Sequence, residues 1–210
     1  MSSKDNIDNI RRDYKGIRLC KLNTDASPVK QFENWLNEAK SVVKDPTAMT
    51  LSTVSPDSKP SSRIVLLKEF DESGFSFFTN YKSKKANDMN DNDFACLLFY
   101  WDAFDRQIRI EGKIVTAEPE VSDRYFESRP EDSQVAAIIS PQSEEIPNRD
   151  EMDKTFAFYD RENLERPDYW GGYKLIPDYF EFWQGQESRL HDRIVYELED
   201  GEWVKKRLAP

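Results

Sequence analysis

The chain has 210 residues, enough for one domain that buries its own core without disulfides. Thirty basic residues against 40 acidic ones give a net charge of −10, which argues against a broadly basic nucleic-acid binder. Two distant cysteines, Cys20 and Cys96, and one histidine, His191, exclude a disulfide scaffold, a thiolate metal site and a multi-histidine centre, so no metal is expected. No apolar run of about 18 residues predicts a membrane span. Residues 1–14 lack the apolar segment of a signal peptide, and the expectation is a soluble, cytoplasmic protein. Seven glycines in no phosphate-loop spacing disfavour Rossmann and P-loop nucleotide sites.

Residues 1–26 are polar and read as a mobile arm before a single domain over 27–210. Ser27 and Pro28 open a helix whose apolar face runs through Val29, Phe32, Trp35, Leu36, Ala39 and Val43, ending before Asp45-Pro46. Strands follow at 47–54, 61–70 and 75–79, separated by turn-forming clusters. Ser83 caps a short helix to Asp91, and two more strands cover 94–101 and 106–116. Three helical segments fit between Glu118 and Asp160, and 166–172 reads as a loop whose glycines allow positive φ. Strands at 173–184, 188–197 and 202–208 close the chain, the last two joined by Glu199-Asp200-Gly201. Short strands with helices outside their runs predict an α+β class built on an antiparallel barrel or sandwich.

An acidic chain that gathers cations in three places needs a reason. On a regular strand, Arg189, His191 and Arg193 share one face, where they either meet an anion or form a solvent-facing stripe. Arg63 and Lys68, five apart, fall on opposite faces of a strand and serve two anions or plain surface. Lys84 and Lys85 sit at the positive end of a helix dipole, explained by a bound anion or as a solvated pair. Gln107 offers an amide to a ring edge or to a neighbouring strand, and the aromatic run 179–183 suits core, interface or a cofactor wall.

The segments RIVLLK (63–68), FFTNY (77–81), RQIRIEG (106–112), YFESRP (125–130), WGGY (170–173), EFWQG (181–185), RLHDR (189–193) and RLAP (207–210) occur in an order that resembles the pyridoxine (pyridoxamine) 5′-phosphate oxidase family. The matches run from about Arg11 to Pro210. The resemblance implies an FMN-binding split β-barrel and a homodimer with FMN at the subunit interface. It implies oxidation of pyridoxine 5′-phosphate or pyridoxamine 5′-phosphate to pyridoxal 5′-phosphate, with molecular oxygen as acceptor and peroxide released.

By position, the resemblance assigns Arg63, Ile64, Val65, Leu66, Leu67, Lys68, Phe78, Thr79, Lys84, Lys85, Gln107, Gln142, Ser143, Trp183 and Arg193 to FMN. It assigns Lys68, Tyr125, Arg129, Ser133, Arg189, Leu190 and His191 to the substrate, with Arg11, Arg12, Asp13 and Tyr14 folding over it and with Arg189 and His191 as the catalytic pair. Tyr125 and Arg129, at i and i+4, would share a helix face. The family usually has Arg-Lys where this chain has Lys84-Lys85, a point charge in place of a bidentate fork. Leu19 and Cys20 stand where the family is more basic, and no function is carried onto that stretch.

Overall fold

The structure, a computed structural model, describes residues 12–210. The chain forms two compact units, one from the segments up to Pro46, Phe99–Arg109 and Tyr179–Pro210, the other from Thr47–Leu98 and Ile110–Asp178. Among the described residues there are nine strands, eight of them in antiparallel registers, and five α-helices that lie outside the strand runs, which makes the class α+β.

In the first unit, helix α1 (Pro28–Ala39) begins where Ser27 accepts a hydrogen bond from the Lys30 N–H and Pro28 supplies a fixed φ. Val29, Phe32, Trp35, Leu36 and Ala39 are buried. The helix stops at Ala39 and does not reach Val43 as the spacing predicted, because the chain tightens into three-residue turns there, Ser41 N–H donating to Glu38 O and Val42 N–H to Ala39 O. Phe32 meets Phe99 at 5.1 Å and Trp35 meets Phe182 edge-on at 5.3 Å. Each large apolar side chain buried in this way contributes on the order of 1.5–3 kcal/mol. Strands β8 (Asp192–Glu199) and β9 (Glu202–Leu208) pair with each other, and β8 pairs with the end of β7 (Trp170–Gln184) through Phe182↔Ile194 and Trp183↔Arg193. Asp200 and Gly201, both at positive φ, make the tight turn expected between β8 and β9. The N-terminal stretch is fastened here: Gly16 N–H donates to Gly185 O, buried Leu19 donates to Asp192, and Tyr196 OH donates to Asp25 O.

In the second unit, β1 (Ala48–Val54) pairs with β2 (Pro60–Leu66), and β3 (Glu69–Asp71) pairs with β4 (Gly74–Asn80). β4 pairs with the start of β7. Strands β5 (Phe94–Trp101) and β6 (Arg106–Thr116), each divided between the two units, have the predicted bounds. Helices α2 (Lys84–Asp91), α3 (Pro119–Glu127), α4 (Glu131–Ile139) and α5 (Arg149–Ala157) match the expected four, with Ser83 capping α2 through the Ala86 N–H. Met49, Leu51, Phe75, Phe77, Leu97, Phe126 and Leu175 form the buried core of this unit.

Three strand readings are corrected. The strand predicted over 61–70 breaks after Leu66, where Leu67 N–H donates to Thr47 O beside β1 and Lys68 N–H to Ser76 O on β4, so the chain changes partner there. The predicted loop 166–172 is shorter, because β7 begins at Trp170. Gly171 and Gly172 lie in that strand without positive φ; a Cβ on Gly171 would run into the Tyr81 hydroxyl. The strand predicted from 188 begins only at Asp192, after a turn in which Ser188 and Arg189 hold φ of 56° and 61°. Among the described residues, no helix is long and apolar enough to cross a membrane.

Candidate functional site

In the second unit a cavity of about 430 Å³ is walled by Ile64, Val65, Leu66 and Lys68 from β2 and the break beyond it, and by Phe78 and Thr79 from β4. Lys85 enters from α2, Tyr125 from α3, Arg129 from just past its end, Ser133 from α4 and Gln142 from the loop that follows. Leu67 is buried and does not line the cavity. Arg129 lies beyond the last turn of α3 and not on its face as expected, since the following Pro130 disfavours helical backbone at Arg129. Tyr125 and Arg129 still meet the same space. The ring of Tyr125 stacks on Phe78 with centroids 3.9 Å apart, and Lys68 Nζ lies 5.8 Å from the Tyr125 ring.

The cations of this cavity differ in what holds them. Lys85 Nζ donates to Gln142 Oε1 at 2.7 Å, Thr79 Oγ1 at 3.0 Å and Ser83 Oγ at 3.1 Å, all uncharged oxygens. Burial, then the field of Arg63, lowers its pKa to about 8. Arg129 stacks 4.6 Å from the Trp170 ring, and its Nη1 is buried with no hydrogen-bond partner. An unsatisfied buried donor costs about 1–3 kcal/mol, more when charged, so a cavity lined this way is built for an anionic acceptor.

Arg63 does not line the cavity wall. Its Nη1 donates to Leu51 O and Thr53 Oγ1, its Nη2 to Ser61 Oγ. Lys84 turns its ammonium onto Asp88, 3.1 Å from each carboxylate oxygen, while its backbone N–H donates to Ser143 Oγ.

In the first unit a cavity of about 630 Å³ is lined by Arg12, Asp13, Tyr14, Gln186, Ser188, Arg189 and His191. His191 accepts the Gln186 backbone N–H at Nδ1, 3.1 Å away, which leaves the proton of a neutral ring on Nε2. The imidazole lies 4.7 Å from the Trp183 ring and edge-on to Tyr14 at 5.4 Å. Leu190, 69% exposed, faces a neighbouring 860 Å³ cavity instead. Arg12 pairs with Asp105 and donates to the Tyr100 hydroxyl. Gln107 is half-buried on β6, and Arg11 lies outside the described residues.

The expectation that Arg189, His191 and Arg193 share a strand face does not hold, since two of the three precede β8 and Arg189 sits in the left-handed turn. Arg193 is satisfied within the protein: Nε and Nη2 donate to the two carboxylate oxygens of buried Glu181, and Nη1 to Ala209 O. Three residues that sequence reasoning passed over shape these sites. Asp88 and Glu181 are buried carboxylates next to arginines, and Trp170 backs Arg129. The signal for Asp88 was its position four residues after Lys84; Glu181 stood unremarked within the aromatic run.

PhzG from Burkholderia lata 383, solved with tetrahydrophenazine-1-carboxylic acid, matches this structure with a TM-score of 0.86 at 28% identity, over 93% of this chain and 99% of its own. A pyridoxamine 5′-phosphate oxidase-related, FMN binding protein from Nostoc punctiforme matches with a TM-score of 0.73 over 88% of this chain and 98% of its own, at 17% identity that speaks for the fold alone. The molecule is thus an α+β protein of the split-barrel class. Residues 36–158 match the family model described as pyridoxamine 5′-phosphate oxidase, and residues 170–210 that of the pyridoxine 5′-phosphate oxidase C-terminal dimerisation region. The pyridoxine/pyridoxamine 5′-phosphate oxidases of Janthinobacterium sp. (strain Marseille) and Cytophaga hutchinsonii are 46% and 47% identical, covering 97% and 99% of this chain and 99% and 100% of their own lengths. The chain belongs to the pyridoxamine 5′-phosphate oxidase family, and by that membership it is an oxidoreductase.

Proposed function

We propose that the protein oxidises pyridoxine 5′-phosphate or pyridoxamine 5′-phosphate to pyridoxal 5′-phosphate with FMN as cofactor, oxygen as acceptor and peroxide as second product. One observation carries the reading: Lys85 and Arg129 line one cavity, and the first meets only uncharged oxygens while the second keeps a buried donor unpaired. Phosphate oxygens are acceptors of the charge these donors need. The donor set therefore fits two phosphorylated ligands. Lys85, Thr79 and Gln142, with Arg63 behind them, would hold the FMN phosphate. Lys68, Tyr125, Arg129 and Ser133 would hold the substrate phosphate.

Bound FMN supplies the hydride acceptor and the later reaction with oxygen. The protein's part is placement and charge. The phosphate grip fixes one end of the substrate, so that little freedom remains to be lost at C4′. Arg189 stays charged and steadies the polar groups of the pyridine ring. His191, with Nδ1 taken by Gln186, offers Nε2–H as a donor to that ring. Arg11, Arg12, Asp13 and Tyr14 would cover the substrate and exclude water, with Leu190 at the border. Ile64, Val65, Leu66, Leu67, Phe78, Gln107, Trp183, Ser143 and Arg193 would complete the flavin site.

A homodimer with FMN between subunits completes the proposal. The matched dimerisation region supports it, as do the exposed apolar side chains Ile64, Leu66, Phe94 and Tyr100. Free thiols at Cys20 and Cys96 suit a cytoplasmic protein. The test is product formation: FMN-loaded protein given pyridoxamine 5′-phosphate in air should yield pyridoxal 5′-phosphate and peroxide in equal amounts. Tight FMN binding with no turnover would leave a carrier, and flavin reduced only by a nicotinamide would leave a flavin reductase.

A further inference from the structure

Asp88 is an acidic side chain placed where the reading above needs positive charge. It is 4% exposed, on α2, and its carboxylate is fully engaged. Oδ2 accepts from Thr53 Oγ1 at 2.8 Å and from Ser61 Oγ at 3.0 Å, and Lys84 Nζ lies 3.1 Å from both oxygens. A hydroxyl has one proton to give. Thr53 and Ser61 both spend theirs on Asp88, so each turns lone pairs outward. Arg63 takes those lone pairs, Nη1 at 2.8 Å from Thr53 Oγ1 and Nη2 at 2.6 Å from Ser61 Oγ. Its own approach to Asp88 stays at 3.9 Å, longer than a hydrogen bond.

We infer that Asp88 is a positioning residue for the phosphate grip: through Thr53 and Ser61 it sets the guanidinium of Arg63, and it takes Lys84 as counterion. This rests on the reading of Arg63 and Lys85 as FMN-phosphate residues. It gives Lys84 a different part from Arg63 and Lys85. Lys84 neutralises Asp88, so the carboxylate orients Arg63 without repelling the phosphate. Were Asp88 an amide, its NH2 would compete for the hydroxyl lone pairs and the relay would lose its direction.

Orientation of Arg63 and mere repulsion of the phosphate predict opposite signs for Asp88→Asn, which makes the inference testable by FMN and riboflavin titration of the apoprotein, followed by flavin fluorescence. Asp88→Asn should weaken FMN about tenfold, the loss of an oriented charged hydrogen bond, and leave riboflavin unchanged. Asp88→Glu should recover part of that loss. Lys84→Met should weaken FMN in the natural background and have no further effect on top of Asp88→Asn. If Asp88 only repels the phosphate, Asp88→Asn tightens FMN, and the inference falls. It falls equally if Asp88→Asn changes nothing, or if Lys84→Met costs as much in the double variant as alone, since Lys84 then binds phosphate directly. Should Asp88→Asn not fold, Ser61→Ala removes one link of the relay and must still weaken FMN without touching riboflavin. Arg63→Lys separates the underlying reading: equal effects on FMN and riboflavin overturn Arg63 as a phosphate residue, whereas a selective effect there with none at Asp88 overturns only this inference.

Discussion

Arg193 on β8 grips Glu181 on β7 with two hydrogen bonds, Nε 3.0 Å from Oε1 and Nη2 2.8 Å from Oε2. Arg109 adds a third donor, 2.9 Å from Oε2. Burial alone would push Glu181 up, but the hydrogen bonds from Arg193 and Arg109 outweigh it and hold the carboxyl below its ordinary 4.5. A carboxylate lowered in the folded state adds stability that is complete above its unfolded pKa and is lost as pH falls through the folded one. Glu181→Gln should therefore lower stability by about 1–3 kcal/mol at neutral pH. Melting temperatures taken from neutral pH downward should converge for the two proteins below the usual carboxylate range. A gap that stays constant on acidification would contradict the ion-pair account.

Lys85 predicts the opposite limb of a pH profile. With its pKa lowered to about 8 by burial and by Arg63, the free protein loses this ammonium in mildly alkaline solution. A bound phosphate favours the charged form and raises that pKa, so FMN binding takes up a proton above about pH 8. FMN affinity should fall by up to tenfold per pH unit across that window, while Lys85→Arg, always charged, should remove the dependence. The sign for the apoprotein is reversed. Its unfolded chain holds the Lys85 proton up to about 10.5, so this group makes the apoprotein more stable as pH rises from about 8. Isothermal titration in buffers of different ionisation enthalpy counts the proton directly, and an uptake of zero near pH 9 would rule Lys85 out.

Arg129 is expected to act in binding and not in the chemistry. Its guanidinium lines the 430 Å³ cavity and stacks against Trp170. Arg129→Ala should raise KM by ~10-fold or more, the loss of a charged hydrogen bond, with a smaller fall in kcat. Some fall in kcat is consistent, because remote binding energy also orients the ring. Steady-state kinetics with an unchanged KM and a collapsed kcat would move Arg129 into the chemical step.

Arg189 and His191 line one cavity, and His191 carries its neutral proton on Nε2 because Nδ1 accepts the Gln186 N–H. A ring so held donates a hydrogen bond and is poorly set to accept a proton at Nε2. His191→Asn, which keeps an N–H donor, should retain turnover to within about tenfold, well short of the ~10²–10⁴-fold expected on losing a general base. Arg189→Ala should raise KM and lower kcat together. A loss of general-base size for His191→Asn, with the acidic limb of the pH–rate profile abolished, would make His191 the base.

The short elements were legible because local signals decide them. Ser27 and Ser83 cap their helices, and β5 and β6 alternate between buried and more exposed positions. The misread positions depend on distant partners or on rare backbone. Leu67 and Lys68 leave β1 for β4, a change of neighbour that no local pattern carries. Ser188 and Arg189 hold positive φ without being glycine, a costly conformation invisible to propensity and typical of sites that aim a side chain. The cation clusters were readable, but which cations still need an anion was not. Glu181 satisfies Arg193 from another strand and Asp88 satisfies Lys84 from the next helical turn, while Lys85 meets only uncharged oxygens and Arg129 keeps a buried donor unpaired.

The most direct test of the central claim is the visible absorbance of the FMN-loaded protein on adding pyridoxamine 5′-phosphate without oxygen. The account predicts that the yellow flavin band bleaches, that it returns when oxygen is admitted, and that pyridoxal 5′-phosphate is then present in amounts matching the flavin reduced. A band that stays unchanged with pyridoxamine 5′-phosphate bound would contradict it.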